Sequence, residues 1–291
     1  MKIKRSGRLI DMTYYLIQHP NELIPLTYFA ERYQSAKSSI SEDLGIIKQT
    51  FEESGVGSLS TVAGAAGGVK FIPSLSKIEA TLFIDELCEI FEKPDRLLPG
   101  GYLYLTDILG NPALVQKIGL MFASLFANKK VDVVMTVETK GIPLAYAVAN
   151  YLHVPVVIVR SDSKVTEGST VSINYVSGSS KRIQTMLLAR KSLKIGSNVL
   201  IIDDFMKAGG TINGMVSLLE EFQAKVAGIG VMVESEDLDE RLVDDYYSLV
   251  QLSEVNMKEK AIKVVAGNFI THYDRVVPNL GGEWNEGSSN E

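Results

Sequence analysis

The stretch VLIIDDFMKAGGT, residues 199–211, sets two carboxylates, Asp203 and Asp204, directly after four apolar residues. Phe205, Met206, Lys207 and Ala208 follow, and then Gly209, Gly210 and Thr211. Carboxylates accept hydrogen bonds from sugar hydroxyls. Paired glycines let backbone N–H groups come close to an anion, and the start of a helix favours phosphate there. Read as the end of a buried strand turning into a helix near Thr211, the stretch offers the acids to a ribose and residues 207–211 to a 5′-phosphate. A strand-end acid pair capping a helix, with Gly-Gly used for packing, explains each residue singly but not their order. The chain has no GxxxxGKS or GxxxxGKT loop, and no GxGxxG after the first strand.

Such a strand end needs a parallel sheet around it. From about residue 130, short apolar runs alternate with amphipathic stretches: VDVVMTV (131–137), VPVVIVR (154–160), NVLIIDDF (198–205) and VAGIGVMVE (226–234). IPLAYAVANYL and TINGMVSLLEEF read as the helices between them, so the rhythm is that of a doubly wound α/β domain. Residues 161–182 are polar and Ser/Gly-rich, which predicts a mobile loop over the site. Residues 75–98 read as a linker helix leading into this domain, which extends to 272. The tail 273–291 reads as disordered.

The first 74 residues have a different texture. SGRLIDMTYYLIQ (6–18) is helical in spacing and ends at His19-Pro20, and a second helix starts near Pro25. A third puts Ile40, Leu44, Ile47 and Phe51 on one face, with Ser38 or Ser39 as its cap and Gly55 as its stop. Two short strands joined by a Gly/Ala turn complete a winged helix-turn-helix order over residues 1–74. A plain helical oligomerisation domain would share that order. What favours DNA is the cluster Lys2, Lys4, Arg5 and Arg8 before the first acid, with Lys37, Ser38, Ser39 and Ser41 opening the third helix. Lys70 in the hairpin would follow the backbone or minor groove.

Charge supports the division. The chain of 291 residues has a formal net charge of −6. Residues 1–74 hold eight Lys/Arg against seven Asp/Glu, and the remainder 21 against 28. An acidic body with a basic tip suits a protein that touches DNA at one end. Cys88 is the only cysteine and the histidines are three, which excludes an internal disulfide and argues against a structural metal. Neither a signal peptide nor a membrane-spanning run is present, so a soluble, cytoplasmic protein is expected.

The opening stretch resembles the phosphoribosyl pyrophosphate (PRPP) motif of type I phosphoribosyltransferases. The resemblance implies that Asp203 and Asp204 take the ribose hydroxyls and residues 207–211 the 5′-phosphate. TVETKGIPLA (136–145) resembles the family's diphosphate loop, which implies a role for Thr139, Lys140 and Gly141 and a non-proline cis peptide bond nearby. Arg160 is counted with the same site. Tyr102 and Phe205 are candidates to stack on a base, and equally candidates for ordinary core aromatics. The chain departs from the motif at Lys207-Ala208, where the enzymes usually carry two small residues ending in Thr. A long cation beside the loop suits a polyanion that is held rather than reacted.

With the winged helix in front, residues 2–272 resemble the Gram-positive-type purine operon repressor family, in RSGRLIDMTYYL, SAKSSISEDL, PGGYLYLTDILG and TEGSTVSINYVSGSS. This implies a homodimer on inverted-repeat operator DNA, PRPP as the effector that weakens DNA binding, and no transferase activity. No cofactor is required, although Mg2+ is a natural companion of PRPP. Guanosine tetraphosphate, a diphosphate next to a ribose, is a second candidate ligand. Lys164, Lys181 and Arg182 in the loop would help attract DNA or simply lie solvated. The alternative function is an active phosphoribosyltransferase carrying a regulatory N-terminal domain. RNA binding lacks any supporting signature.

Overall fold

The computed structural model describes residues 3–64, 67–98, 102–162, 168–176, 182–235, 241–256 and 261–273. Three helices come first: α1 (Arg5–Gln18), α2 (Leu26–Tyr33) and α3 (Lys37–Glu53). They precede an antiparallel hairpin of β1 (Gly57–Val62) and β2 (Gly68–Pro73). Their apolar faces close a separate core, with Met12, Leu16, Phe29, Ile40, Leu44, Ile47, Phe51 and Phe71 buried together. The face anticipated for α3 is the buried one. Its anticipated cap is not: Ala36 occupies the N-cap and no side chain caps the helix, so Ser38 and Ser39 fall within its first turn. Gly55, with φ of 69°, follows the helix end as expected.

Next come α4 (Lys77–Phe91), short β3 (Leu97–Leu98) and β4 (Tyr102–Leu103), α5 (Thr106–Leu109) and α6 (Pro112–Phe126). Alternation then takes over, through β5 (Val133–Val137), α7 (Gly141–Leu152), β6 (Val156–Val159), β7 (Thr170–Val176), β8 (Ile183–Ala189), β9 (Asn198–Met206), α8 (Gly210–Glu220) and β10 (Lys225–Ser235). β11 (Tyr247–Asn256), β12 (Ala261–Ala266) and α9 (Phe269–Tyr273) follow. The central sheet runs β12-β11-β10-β9-β5-β6, parallel except for the antiparallel edge β12. β11 and β12 were not anticipated from the sequence. The apolar runs sit where continuous hydrophobic strands belong, buried on both faces. One face packs against α4, α6, α7 and α9, the other against α8 and the β7–β8 hairpin.

Two expectations need correcting. α4 is no linker: Ala80, Phe83, Ile84, Leu87 and Phe91 are buried in the main core, and Ser76 and Glu79 close a reciprocal capping box at its start. Residues 161–182 are not one loop either. Residues 170–176 form β7, which pairs antiparallel with β8, and Tyr175 lies against Gly214 of α8. Lys2, Lys164, Lys181 and the tail 274–291 lie outside the described residues. No helix among the described residues is long and apolar enough to cross a membrane.

Candidate functional site

β9 is the central parallel strand, flanked by β10 and β5. Val199 to Ile202 are fully buried, so Asp203 and Asp204 arrive at its carboxyl end. Asp203 is 3% exposed, and its Oδ1 accepts from the Asp204 N–H at 3.0 Å. Burial and then the adjacent Asp204 push the Asp203 carboxyl well above the usual carboxylate range. Burial raises Asp204 as well, against the lowering pull of the Lys140 ammonium. A partner that supplies hydroxyl donors would relieve both desolvated groups.

The chain then turns through Lys207 and Ala208 to Gly209, whose φ of 84° is a left-handed conformation that glycine adopts without penalty. Gly209 is the N-cap of α8 and has no side chain to occupy the helix start. A cavity of about 230 Å³ opens here, lined by residues 203–212, Lys140, Val137, Leu103 and Leu105. Asp203, Asp204, Phe205, Lys207, Ala208, Gly209, Gly210, Thr211 and Lys140 therefore come together around one space. The acids, the Gly-Gly turn and the Lys140 cation face it jointly.

The loop after β5 supplies the second wall. The Glu138–Thr139 peptide is cis, in the segment where the resemblance implied such a bond. Gly141 opens α7 against the acid: a Cβ there would stand 2.2 Å from Thr136 Oγ1 and 3.4 Å from Asp203 Oδ1. Only a glycine lets the helix start so close to the strand end. Thr139 and Gly141 adjoin the cavity without lining it. Arg160 does not line it, because its guanidinium donates to Glu138 at 3.0 Å and its backbone bridges Leu187. The Ser161 N–H and hydroxyl also donate to Glu138, so Arg160 helps moor the loop. The backbone of Tyr102 is in β4; its side chain lies outside what is described.

At the other end of the chain, the basic cluster divides. Arg8 is only 12% exposed, donates to Asp43 through Nε and reaches Ser35 Oγ at 2.9 Å. Arg5 donates to the other Asp43 oxygen at 2.9 Å but stays 56% exposed. Asp43 is fully buried. A carboxylate with no access to water needs paired cations, so Arg8 clamps α1 to α3. The clamp sets the exposed Lys4 and Arg5 beside α3. Lys37, Ser38 and Ser41 are exposed on α3, while Ser39 and Lys70 are half-buried. The sequence offered no sign that Asp43 would be the residue receiving both arginines.

Comparison with known proteins agrees with both halves. Residues 4–73 match the family model described as bacterial purine repressor, N-terminal, and residues 105–266 match the phosphoribosyl transferase domain. The chain is 67% identical over 280 residues to the purine biosynthesis transcriptional repressor PurR of Bacillus subtilis (strain 168), covering 96% of this chain and 98% of that one. It is 49% identical over 266 residues to the purine biosynthesis transcriptional activator PurR of Lactococcus lactis subsp. lactis, covering 91% and 98%. Among solved structures, the adenine phosphoribosyltransferase of Thermoanaerobacter pseudethanolicus superposes with a TM-score of 0.51 at 22% identity, over 58% of this chain and 99% of that one. That last likeness is one of fold.

Proposed function

The chain belongs to the PurR family of purine biosynthesis transcriptional regulators, and from that premise we propose that it represses purine genes from operator DNA and is released by PRPP. Repression rather than activation is favoured by the higher identity to the repressor than to the activator. The observation that carries the effector reading is the single cavity walled by Asp203, Asp204, Lys140 and the 207–211 turn. Hydroxyls, diphosphate and 5′-phosphate each find a matching group there. Any Mg2+ would enter with the diphosphate, since no group of three or more His, Cys, Asp or Glu gathers among the described residues. Guanosine tetraphosphate would compete by the same chemistry. A homodimer on an inverted repeat completes the reading, with one winged helix per half-site.

The ligand is held, not turned over. Among the described residues, the polar side chains lining the cavity are Asp203, Asp204, Lys140, Lys207 and Thr211, and the remaining wall is Leu103, Leu105, Val137, Phe205, Met206, Ala208, Gly209, Gly210 and Ile212. Among the described residues no amide or serine lines it to read a base edge, and Lys207-Ala208 stands where the enzymes usually carry a small pair. The hairpin β7–β8 packs on α8 and bridges Arg160 through Leu187. We assign the signal to α7 instead. Its first turn abuts the acids. At its far end the Tyr151 carbonyl accepts from Asn21 Nδ2 at 2.7 Å, and His153 Nε2 stands 3.4 Å from Glu22. Asn21 also donates its N–H to Phe71 of the wing. Gel shift on operator DNA with and without PRPP tests the reading, and an unshifted response to PRPP would overturn it. Incubation with PRPP and each common base should leave PRPP intact; nucleotide formed at enzyme-like rates would instead favour the transferase.

A further inference from the structure

β10 carries a third carboxylate at the same sheet edge as Asp203 and Asp204, and the cavity does not use it. Glu234 is 4% exposed and lies in register with Met206, the residue before the phosphate turn. Its Oε1 accepts from Ser248 Oγ at 2.6 Å, and its Oε2 accepts from Tyr246 Oη and from a guanidinium nitrogen of Arg241, both at 2.5 Å. Asn268 fixes that arrangement from behind: it accepts from the Ser248 N–H at 2.8 Å and donates to the Tyr246 carbonyl at 2.9 Å. The Arg241 guanidinium also sits 5.3 Å from the centre of the Tyr246 ring. A buried network this complete holds one side chain, Arg241, in one place.

What Arg241 holds is the next two residues. The Leu242 N–H donates to the Ala208 carbonyl at 3.0 Å. Val243 is buried, with Cγ2 3.1 Å from where a Cβ on Gly209 would stand. The Ala208 carbonyl and the Gly209 N–H belong to one planar trans peptide, so they point in opposite directions. Fixing the carbonyl on Leu242 therefore aims the Gly209 N–H away from Leu242. Neither Leu242 nor Val243 lines the cavity, whereas Ala208 and Gly209 do.

We propose that Arg241, held by Glu234, is a positioning residue for the phosphate turn: through Leu242 and Val243 it presets the peptide whose N–H receives the 5′-phosphate. This rests on the reading of residues 207–211 as a phosphate site. Preset donors bind an anion without first having to be ordered, so loss of the strap weakens phosphate binding without removing any group that touches the ligand.

The test uses the full chain and two probes, ribose 5-phosphate for the turn and inorganic pyrophosphate for the loop at Thr139–Gly141, titrated by calorimetry. Arg241→Ala should weaken ribose 5-phosphate at least fivefold, leave pyrophosphate within twofold, and leave operator affinity without ligand unchanged. Arg241→Lys, which keeps a cation for Glu234, should recover at least half of the lost affinity on a logarithmic scale. Equal affinity of Arg241→Ala and wild type for ribose 5-phosphate would overturn the proposal. So would a parallel loss for both probes, which would mark general damage. Failure of wild type to bind ribose 5-phosphate at all would overturn the phosphate-site reading itself, and the proposal with it.

Discussion

Replacing Asp203 by Asn should move stability and ligand affinity in opposite directions. The Asp203 carboxyl is raised well above its usual range by burial and then by Asp204. Its folded pKa therefore exceeds the unfolded value near 3.9. The folded state binds the proton more tightly, so the group's contribution to stability declines as pH rises from the unfolded pKa towards the folded one. At higher pH the buried carboxylate is a net cost. Asparagine keeps the shape and the acceptor for the Asp204 N–H but cannot ionise. The ligand-free protein should melt higher, by about 2–4 °C for each 1 kcal/mol recovered. Ribose hydroxyls lose a charged acceptor, which costs about 1.5–3 kcal/mol, or roughly tenfold to a hundredfold in PRPP affinity. Thermal melts without ligand and calorimetry with PRPP on one preparation read both. A lower melting temperature with unchanged PRPP affinity would make Asp203 a structural cap and refute the reasoning.

Arg8→Ala should lower the melting temperature, at a cost of about 3 kcal/mol for stripping one partner from a buried carboxylate, whereas exposed Lys37→Ala should leave it unchanged and reduce the salt slope of operator binding by about one unit. Titration of operator affinity against salt, beside thermal melts, separates the two. Burial pushes Asp43 up, but Arg8 and Arg5 more than offset it and hold the carboxyl below its usual range. That stabilisation is present above the unfolded pKa near 3.9 and is lost as pH falls through the lower folded value, so circular dichroism should show the N-terminal helices failing in acid and Asp43→Asn losing this part of the pH dependence. Gly209→Ala forces a side chain into a left-handed φ at about 1–2 kcal/mol and against Val243, and calorimetry should show weaker PRPP binding while gel shift shows normal operator binding. Asn21→Ala should leave PRPP affinity near wild type but shrink the ratio of operator affinities measured with and without PRPP.

The parts that the sequence showed plainly were those with one-dimensional signals. Strands buried on both faces must be apolar throughout, and β5, β6, β9 and β10 carry such runs. The PRPP-like stretch was legible because one turn needs its acids and glycines in a fixed order. β7 was missed because two of its three exposed positions, Ser172 and Asn174, are polar, and the alternation looked like loop composition. The apolar stripe of α4 was visible, but not that the main core would cover it. Long-range pairings left no trace: Arg8 meets Asp43 from 35 residues away, and Arg160 meets Glu138 across two elements. Nor does the sequence mark Glu234 and Arg241 as partners.

A regulator asks something of this fold that a transferase does not: the ligand's arrival must be felt at the winged helix. A useful coupling is about 1–3 kcal/mol. One hydrogen bond contributes about 0.5–1.5 kcal/mol net, and the Glu22–His153 contact counts as an ion pair only with a protonated imidazole. Asn21 on the Tyr151 carbonyl and Glu22 beside His153 are together of that order. They join the turn between α1 and α2 to the end of α7, a helix of 12 residues whose other end abuts Asp203. At about 1.5 Å per residue it spans roughly 18 Å. Gly141 leaves no slack between its first turn and the acids, so a ligand that displaces that turn also strains the contacts at Tyr151 and His153. The effect on DNA follows if the free protein, with both contacts made, is the form that fits the operator.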